Sequence, residues 1–213
     1  MIDKKTVFIL GAGASCPYGY PSGAQLRKEI CLDFHSQYLS HLCATESNTH
    51  TRNDKLENIE YFTKTFFNSS TKSIDLFLAR NPQLAETGKY IIAFKVFDAE
   101  KKSHFREQSV QEQDWYSYLF DRLTDGIIDR NTLPEFSRNN VSFITFNYDR
   151  SLEHFLYESL RNSFTEVPDH EIKKEFVKIK IIHVYGQIAP LKWQDSTEGI
   201  GYSPNFSDTV FNV

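Results

Sequence analysis

Asn147, Asp149 and His183, together with a loop that opens Gly11-Ala12-Gly13-Ala14-Ser15, are the residues whose types and places suit chemistry, because each group ends an apolar run. Glycines at 11 and 13 permit a tight turn whose main-chain N–H groups can approach a ligand closely. A helix start behind such a loop adds partial positive charge, which makes a pyrophosphate, and so a dinucleotide, the obvious candidate. The dehydrogenase fingerprint G-x-G-x-x-G is not completed, since Cys16 stands at its third glycine position. A tight turn between a strand and a helix accounts for the same two glycines without any ligand. A histidine that titrates near neutrality can accept a proton, and a neutral amide such as Asn147 can hold a hydroxyl or a water. Plainer readings exist for each: His183 as a satisfied residue inside an apolar strand, Asn147 as a turn residue, Asp149 as a carboxylate at a helix start, Ser15 as a cap.

The elements that must carry these groups are legible in outline. Thr6 to Leu10 is a β-branched and aromatic run, as expected of a strand buried on both faces of a parallel sheet. Ser22 and Gln25 have capping-box spacing, and Leu26, Ile30, Phe34, Tyr38 and Leu42 then recur every four residues, which predicts a helix. Ala44 to Asn58 is polar and reads as an exposed connection, before Leu56, Ile59, Phe62 and Phe66 resume helical spacing. Asn81-Pro82 reads as a helix start. Gly88 to Phe97 reads as helix, Glu100 to Asp114 as a polar linker, and Trp115, Leu119, Leu123 and Ile127 as one more helical stripe. The stretch from about 55 to 130 is thus a mostly helical insertion. Val141 to Phe146 and Val177 to Val184 are two further strands, with a helix from Ser151 to Leu160 between them. Three strands that each end in a polar or glycine-bearing motif predict an open α/β sheet with its ligand beyond the carboxyl ends.

At 213 residues and 40% hydrophobic the chain suits one domain carrying such an insertion, and a chain of this size buries roughly 70% of its unfolded surface. A net charge of -4 without a dense basic block argues against direct nucleic-acid binding. Cys16, Cys31 and Cys43 are odd in number and never spaced C-x-x-C, which argues against a disulfide framework and against a four-cysteine zinc site, so no metal is expected. No segment approaches the roughly 20 apolar residues of a membrane helix, and the expected setting is a reducing cytoplasm.

GAGASCPYGYPSGAQLR, then TFNYD, then HVYG, in that order, resembles the sirtuin-like NAD-consuming family, and most closely the NAD hydrolase domains of bacterial anti-phage defence proteins. SIDLFL (Ser73 to Leu78), GKYIIA (Gly88 to Ala93) and LKWQ (Leu191 to Gln194) resemble that branch too, so the likeness spans roughly residues 6 to 203. The resemblance implies a Rossmann-like parallel sheet and NAD as substrate. It implies that Gly11, Ala12, Gly13 and Ser15 cradle the phosphates, that Asn147 and Asp149 face the nicotinamide end, with Asp149 gripping the carboxamide, and that His183 is catalytic at the nicotinamide ribose. It further implies a regulated enzyme that answers to self-association or to a protein partner. Cleavage of an N-glycosidic bond passes through an oxocarbenium-like state, for which a hydroxyl or water must be polarised without sealing off the sugar.

The chain also departs from the family. Protein-deacylating sirtuins carry a four-cysteine zinc module that three scattered cysteines cannot build, and they follow the glycine loop with Gly-Ile-Pro-Asp-Phe-Arg where Gly19 to Ala24 reads GYPSGA. Hydrolysis of NAD is therefore expected ahead of deacylation, with a non-catalytic NAD or ADP-ribose sensor as the rival from another class. Three strands are fewer than the five or six usual in a doubly wound fold, so the chain reads as a possible fragment of a longer protein. Tyr18, Tyr20, Tyr185 and Trp193 are candidates to line the cofactor pocket, Cys16 reads as a small buried filler, and the remaining six histidines have no assigned role.

Overall fold

The computed structural model describes residues 1–45, 47–103 and 114–204. They divide into two compact units, one formed by Met1–Tyr20 with Lys102–Ser203 and the other by Pro21–Lys101.

The second unit is helical. Helix α1 (Gly23–Leu32) opens on the expected capping box, Ser22 accepting from the Gln25 N–H at 3.3 Å while the Gln25 side chain takes the Ser22 N–H at 2.8 Å. The single helix predicted from Leu26 to Leu42 is broken after Leu32, and α2 spans Phe34–Thr45. The Ser36 hydroxyl donates to the Asp33 carbonyl at 2.9 Å and so competes for a main-chain acceptor at the break. The predicted connection from Ala44 to Asn58 is instead largely helix, because α3 (Thr49–Asn68) begins well before its apolar stripe starts at Leu56. Asn48 caps it by accepting from the N–H groups of His50 and Thr51, and its polar first turns face water. Helix α4 (Ile74–Arg80) is capped by Ser73, and α5 (Ala85–Lys102) follows a 3-10 turn at Pro82–Leu84. Phe62, Phe66 and Phe77 form the aromatic centre of this unit, and the buried Lys95 ammonium pairs with Glu29 at 2.5 Å. The helix expected over Gly88 to Phe97 is present within α5.

The first unit is mixed α/β. Strands β1 (Thr6–Leu10), β2 (Val141–Thr145) and β3 (Lys180–His183) form a parallel sheet in the order β1-β2-β3, joined by α6 (Trp115–Thr124), α7 (Ser151–Ser163) and α8 (Asp169–Phe176). β3 starts three residues later than predicted because α8 runs to Phe176 and Val177 caps it. Of the linker predicted from Glu100 to Asp114, Glu100 to Lys102 belong to α5, Asp114 caps α6, and 104–113 lie outside the described residues.

Register aligns Phe8, Phe143 and Ile181 in one row and Leu10, Thr145 and His183 in the last row, all on one face of the sheet. Phe8 and Phe143 stack with centroids 5.2 Å apart, and α7 supplies Leu152, Leu156 and Leu160 to the core. The opposite face does not meet the expectation of burial on both sides: Val7 is 49%, Ile9 70% and Ile182 44% exposed. Sheet order follows chain order without reversal, and right-handed crossovers then fall on a single side.

Candidate functional site

The last register row delivers the site. Leu10, Thr145 and His183 stand side by side at the carboxyl end of the sheet, and the three segments that leave the strands are tied to one another there. The Phe146 N–H donates to the Leu10 carbonyl at 2.9 Å, and the Val184 N–H to the Thr145 carbonyl at 2.9 Å. The Ile188 N–H then reaches the Tyr148 carbonyl at 3.1 Å, after a turn in which Gly186 takes a φ of 82° that favours glycine.

The glycine loop runs into two 3-10 turns, Ala12–Ala14 and Cys16–Tyr18, ahead of α1. Gly11 and Gly13 are exposed, and a Cβ at either would meet nothing within 4 Å, so open space lies against the main chain at both. The Asn147 amide donates through Nδ2 to the Gly11 carbonyl at 3.1 Å and to Ser15 Oγ at 3.2 Å. Ser15 is buried and donates to Asp149 Oδ2 at 2.9 Å, with the Ala12 carbonyl as a second acceptor at 3.3 Å. The other oxygen of Asp149 accepts the Ser151 N–H at 3.1 Å and the Ser151 hydroxyl, which also pairs with the Tyr116 hydroxyl at 2.7 Å. Burial raises the pKa of Asp149; hydrogen bonds from Ser151 and Ser15 oppose this, and the charge of Glu153 adds to it.

His183 is held at both ends. Its Nδ1 lies 2.9 Å from the Asn147 carbonyl and its Nε2 lies 2.6 Å from Glu153 Oε1, with the two side chains 9% and 3% exposed. Burial works against charge on this imidazole, but the hydrogen bond to Glu153 and its negative charge outweigh burial and raise the pKa above the ordinary histidine value.

Gly11, Ser15, Asn147, Asp149 and His183 are thus linked through direct hydrogen bonds, the Ala12 carbonyl joins through Ser15, and Gly13 lies in the open part of the loop. Leu10, Tyr116, Thr145, Asn147, Asp149, Leu152, Glu153 and His183 line a cavity of about 10 Å3, which is room for roughly one water. Tyr18, Tyr20, Tyr185 and Trp193 do not line it: Tyr18 stacks on Tyr116 with centroids 4.1 Å apart, Tyr20 bonds the Tyr202 hydroxyl, Tyr185 is exposed beside Phe146, and Trp193 stacks on Tyr157. Cys16 is half-buried, and burial first, then the Asp149 charge, raises its thiol pKa.

Two contributors escaped the sequence reading. Glu153 occupies the first turn of α7, where an acidic residue is favoured by the helix dipole in any case. Arg150, fully buried, donates to the carbonyls of Pro190 at 3.2 Å, Ile200 at 2.8 Å and Gly201 at 3.1 Å, and so fastens the loop that follows β3 to the start of α7. The only signal for either was proximity to the Asn147-Tyr148-Asp149 motif. Beside them, burial and the charge of Arg150 push His154 down to about 4, so it sits neutral against the Tyr202 ring at 3.6 Å.

Among the described residues no group of three or more His, Cys, Asp or Glu is disposed to hold a metal ion, and no helix is long and apolar enough to cross a membrane. Comparison of the chain with protein families, with curated proteins and with solved structures finds no match to any of them.

Proposed function

We propose that this chain hydrolyses NAD+ to nicotinamide and ADP-ribose on a Rossmann-like, sirtuin-like sheet, with Asn147 and His183 as the catalytic pair. One observation carries the reading: at the carboxyl end of one parallel sheet the Gly11 carbonyl after β1 accepts from the Asn147 side-chain amide after β2, and the Asn147 main-chain carbonyl bonds the imidazole of His183, the last residue of β3. That is where open α/β sheets take their ligands. The main chain of Gly11, Ala12 and Gly13, exposed at the two glycines, lies against the diphosphate, with Ser15 anchoring the loop. Asn147 donates through Nδ2 to the protein, which leaves Oδ1 to accept from a ribose hydroxyl or from the attacking water. His183 takes the proton released from that oxygen. Asp149 spends both oxygens on Ser15 and Ser151, so its first contribution is to set Ser15, and gripping a nicotinamide carboxamide requires Ser15 to turn aside.

A cavity with room for one water and an imidazole engaged at both nitrogens fit a resting state that opens before turnover. Regulation by self-association or by a protein partner, as in an anti-phage effector of the cytoplasm, belongs to this proposal. The same closure favours one rival, a non-catalytic sensor of NAD or ADP-ribose. Incubating concentrated protein with NAD and measuring free nicotinamide separates the two. Release that falls by about 10²–10⁴-fold in both His183→Ala and Asn147→Ala is the expected outcome. NAD that binds and stays intact, at every protein concentration, selects the sensor.

A further inference from the structure

We infer that Glu153 is the positioning residue of His183, and that the two form one proton-holding pair which must give up a proton before His183 can act as a base. The hydrogen-bond inventory carries this. The Asn147 carbonyl only accepts, so Nδ1 of His183 bears a hydrogen. Glu153 Oε1 sits 2.6 Å from Nε2, and a bond between a carboxyl oxygen and that nitrogen needs a proton between them. That proton belongs either to an imidazolium facing a carboxylate or to a carboxylic acid facing a neutral ring. In both cases the pair is neutral as a whole, and the lone pair of Nε2 is unavailable to any substrate.

Loss of that one proton to solvent changes the contact. A neutral ring that keeps its hydrogen on Nδ1 presents a lone pair on Nε2 to an anionic carboxylate, and the attraction between them becomes repulsion. The ring nitrogen is then free to accept from a hydroxyl or water in the cavity that His183 and Glu153 both line. The groups facing His183 are Glu153 from α7, Asp149 and the Asn147 carbonyl from the segment after β2, and the buried Tyr116 hydroxyl from α6. Burial raises the Tyr116 pKa well above the usual phenol value, so it stays neutral while the pair titrates. Asp149 sides with Glu153 in retaining the proton.

The holding half of this inference stands on geometry alone, and the base half rests on the proposed hydrolysis. The experiment keeps them apart. In the intact protein, the His183 ring is titrated by ¹⁵N-¹H NMR in wild type and in the isosteric Glu153→Gln, with Glu153→Asp as a shorter control that retains the charge. A glutamine can donate to an unprotonated Nε2, so Glu153→Gln lowers the His183 pKa by at least about one unit, tenfold in proton affinity, while Glu153→Asp retains most of it. In parallel, the pH profile of nicotinamide release rises to a midpoint above that of an ordinary histidine in wild type, and the midpoint moves down in Glu153→Gln. A His183 pKa that is the same in wild type and Glu153→Gln overturns the pairing, whatever the enzyme does. A pKa that moves in a protein that releases no nicotinamide upholds the pairing and overturns the hydrolysis.

Discussion

At the scale of single residues, Asp149 is the buried polar node on which the site's hydrogen bonds converge. Ser15, the Ser151 N–H and the Ser151 hydroxyl all donate to it. Asp149→Ala leaves these buried donors without their acceptor, and urea unfolding should show a loss of about 1–3 kcal/mol. Asp149→Asn should lose less, since it keeps one acceptor oxygen and a serine hydroxyl can turn to accept from the new amide. Asn147 and His183 could be singled out in the sequence because each stands at the end of an apolar run, where a turn residue and a satisfied strand histidine are ordinary too. Glu153 was not, since its significance depends on α7 folding back over the last register row and bringing together positions 30 residues apart.

At the scale of elements, the loop after β3 shows how little freedom its positioning leaves. Around it the chain makes a parallel bridge between Leu191 and Ile200, and the carbonyls of Pro190, Ile200 and Gly201 receive the Arg150 guanidinium. A Cβ on Gly199 would lie 2.0 Å from the Asp195 carbonyl oxygen and 2.6 Å from that of Leu191. Both neighbours are main chain and cannot step aside as a side chain would. Gly199→Ala should therefore cost about 1–3 kcal/mol in urea unfolding and lower the thermal midpoint, through displacement of the carbonyls that Arg150 uses. Strands were readable because β-branched and aromatic runs between turn residues leave few other readings, whereas α3 was hidden. Its first seven residues, Thr49 to Lys55, are all polar, so periodicity had no apolar stripe to report there, and only the Asn48 cap marks the start.

At the scale of the molecule, the first unit presents one dry and one wetted face of a parallel sheet. Val7, Ile9, Phe146, Ile182, Val184 and Tyr185 form an apolar surface of the kind that parallel sheets ordinarily cover on both sides. A dye that fluoresces on apolar surface should bind the native protein, and Ile9→Ser combined with Ile182→Ser should reduce the signal without changing the urea midpoint by much; equal signal in both proteins would remove this surface as the source. A different consequence follows from the strand order. Among the described residues β2 alone has hydrogen-bonded neighbours on both sides, so its ladder is the last part of the sheet to fray. The Asn147 amide is anchored two residues past that most persistent strand, while the glycine loop and the His183 imidazole hang from strands paired on one side among the described residues. Breathing of the unit therefore moves the flanks about a fixed post, and a ligand admitted by such motion meets Asn147 already in place.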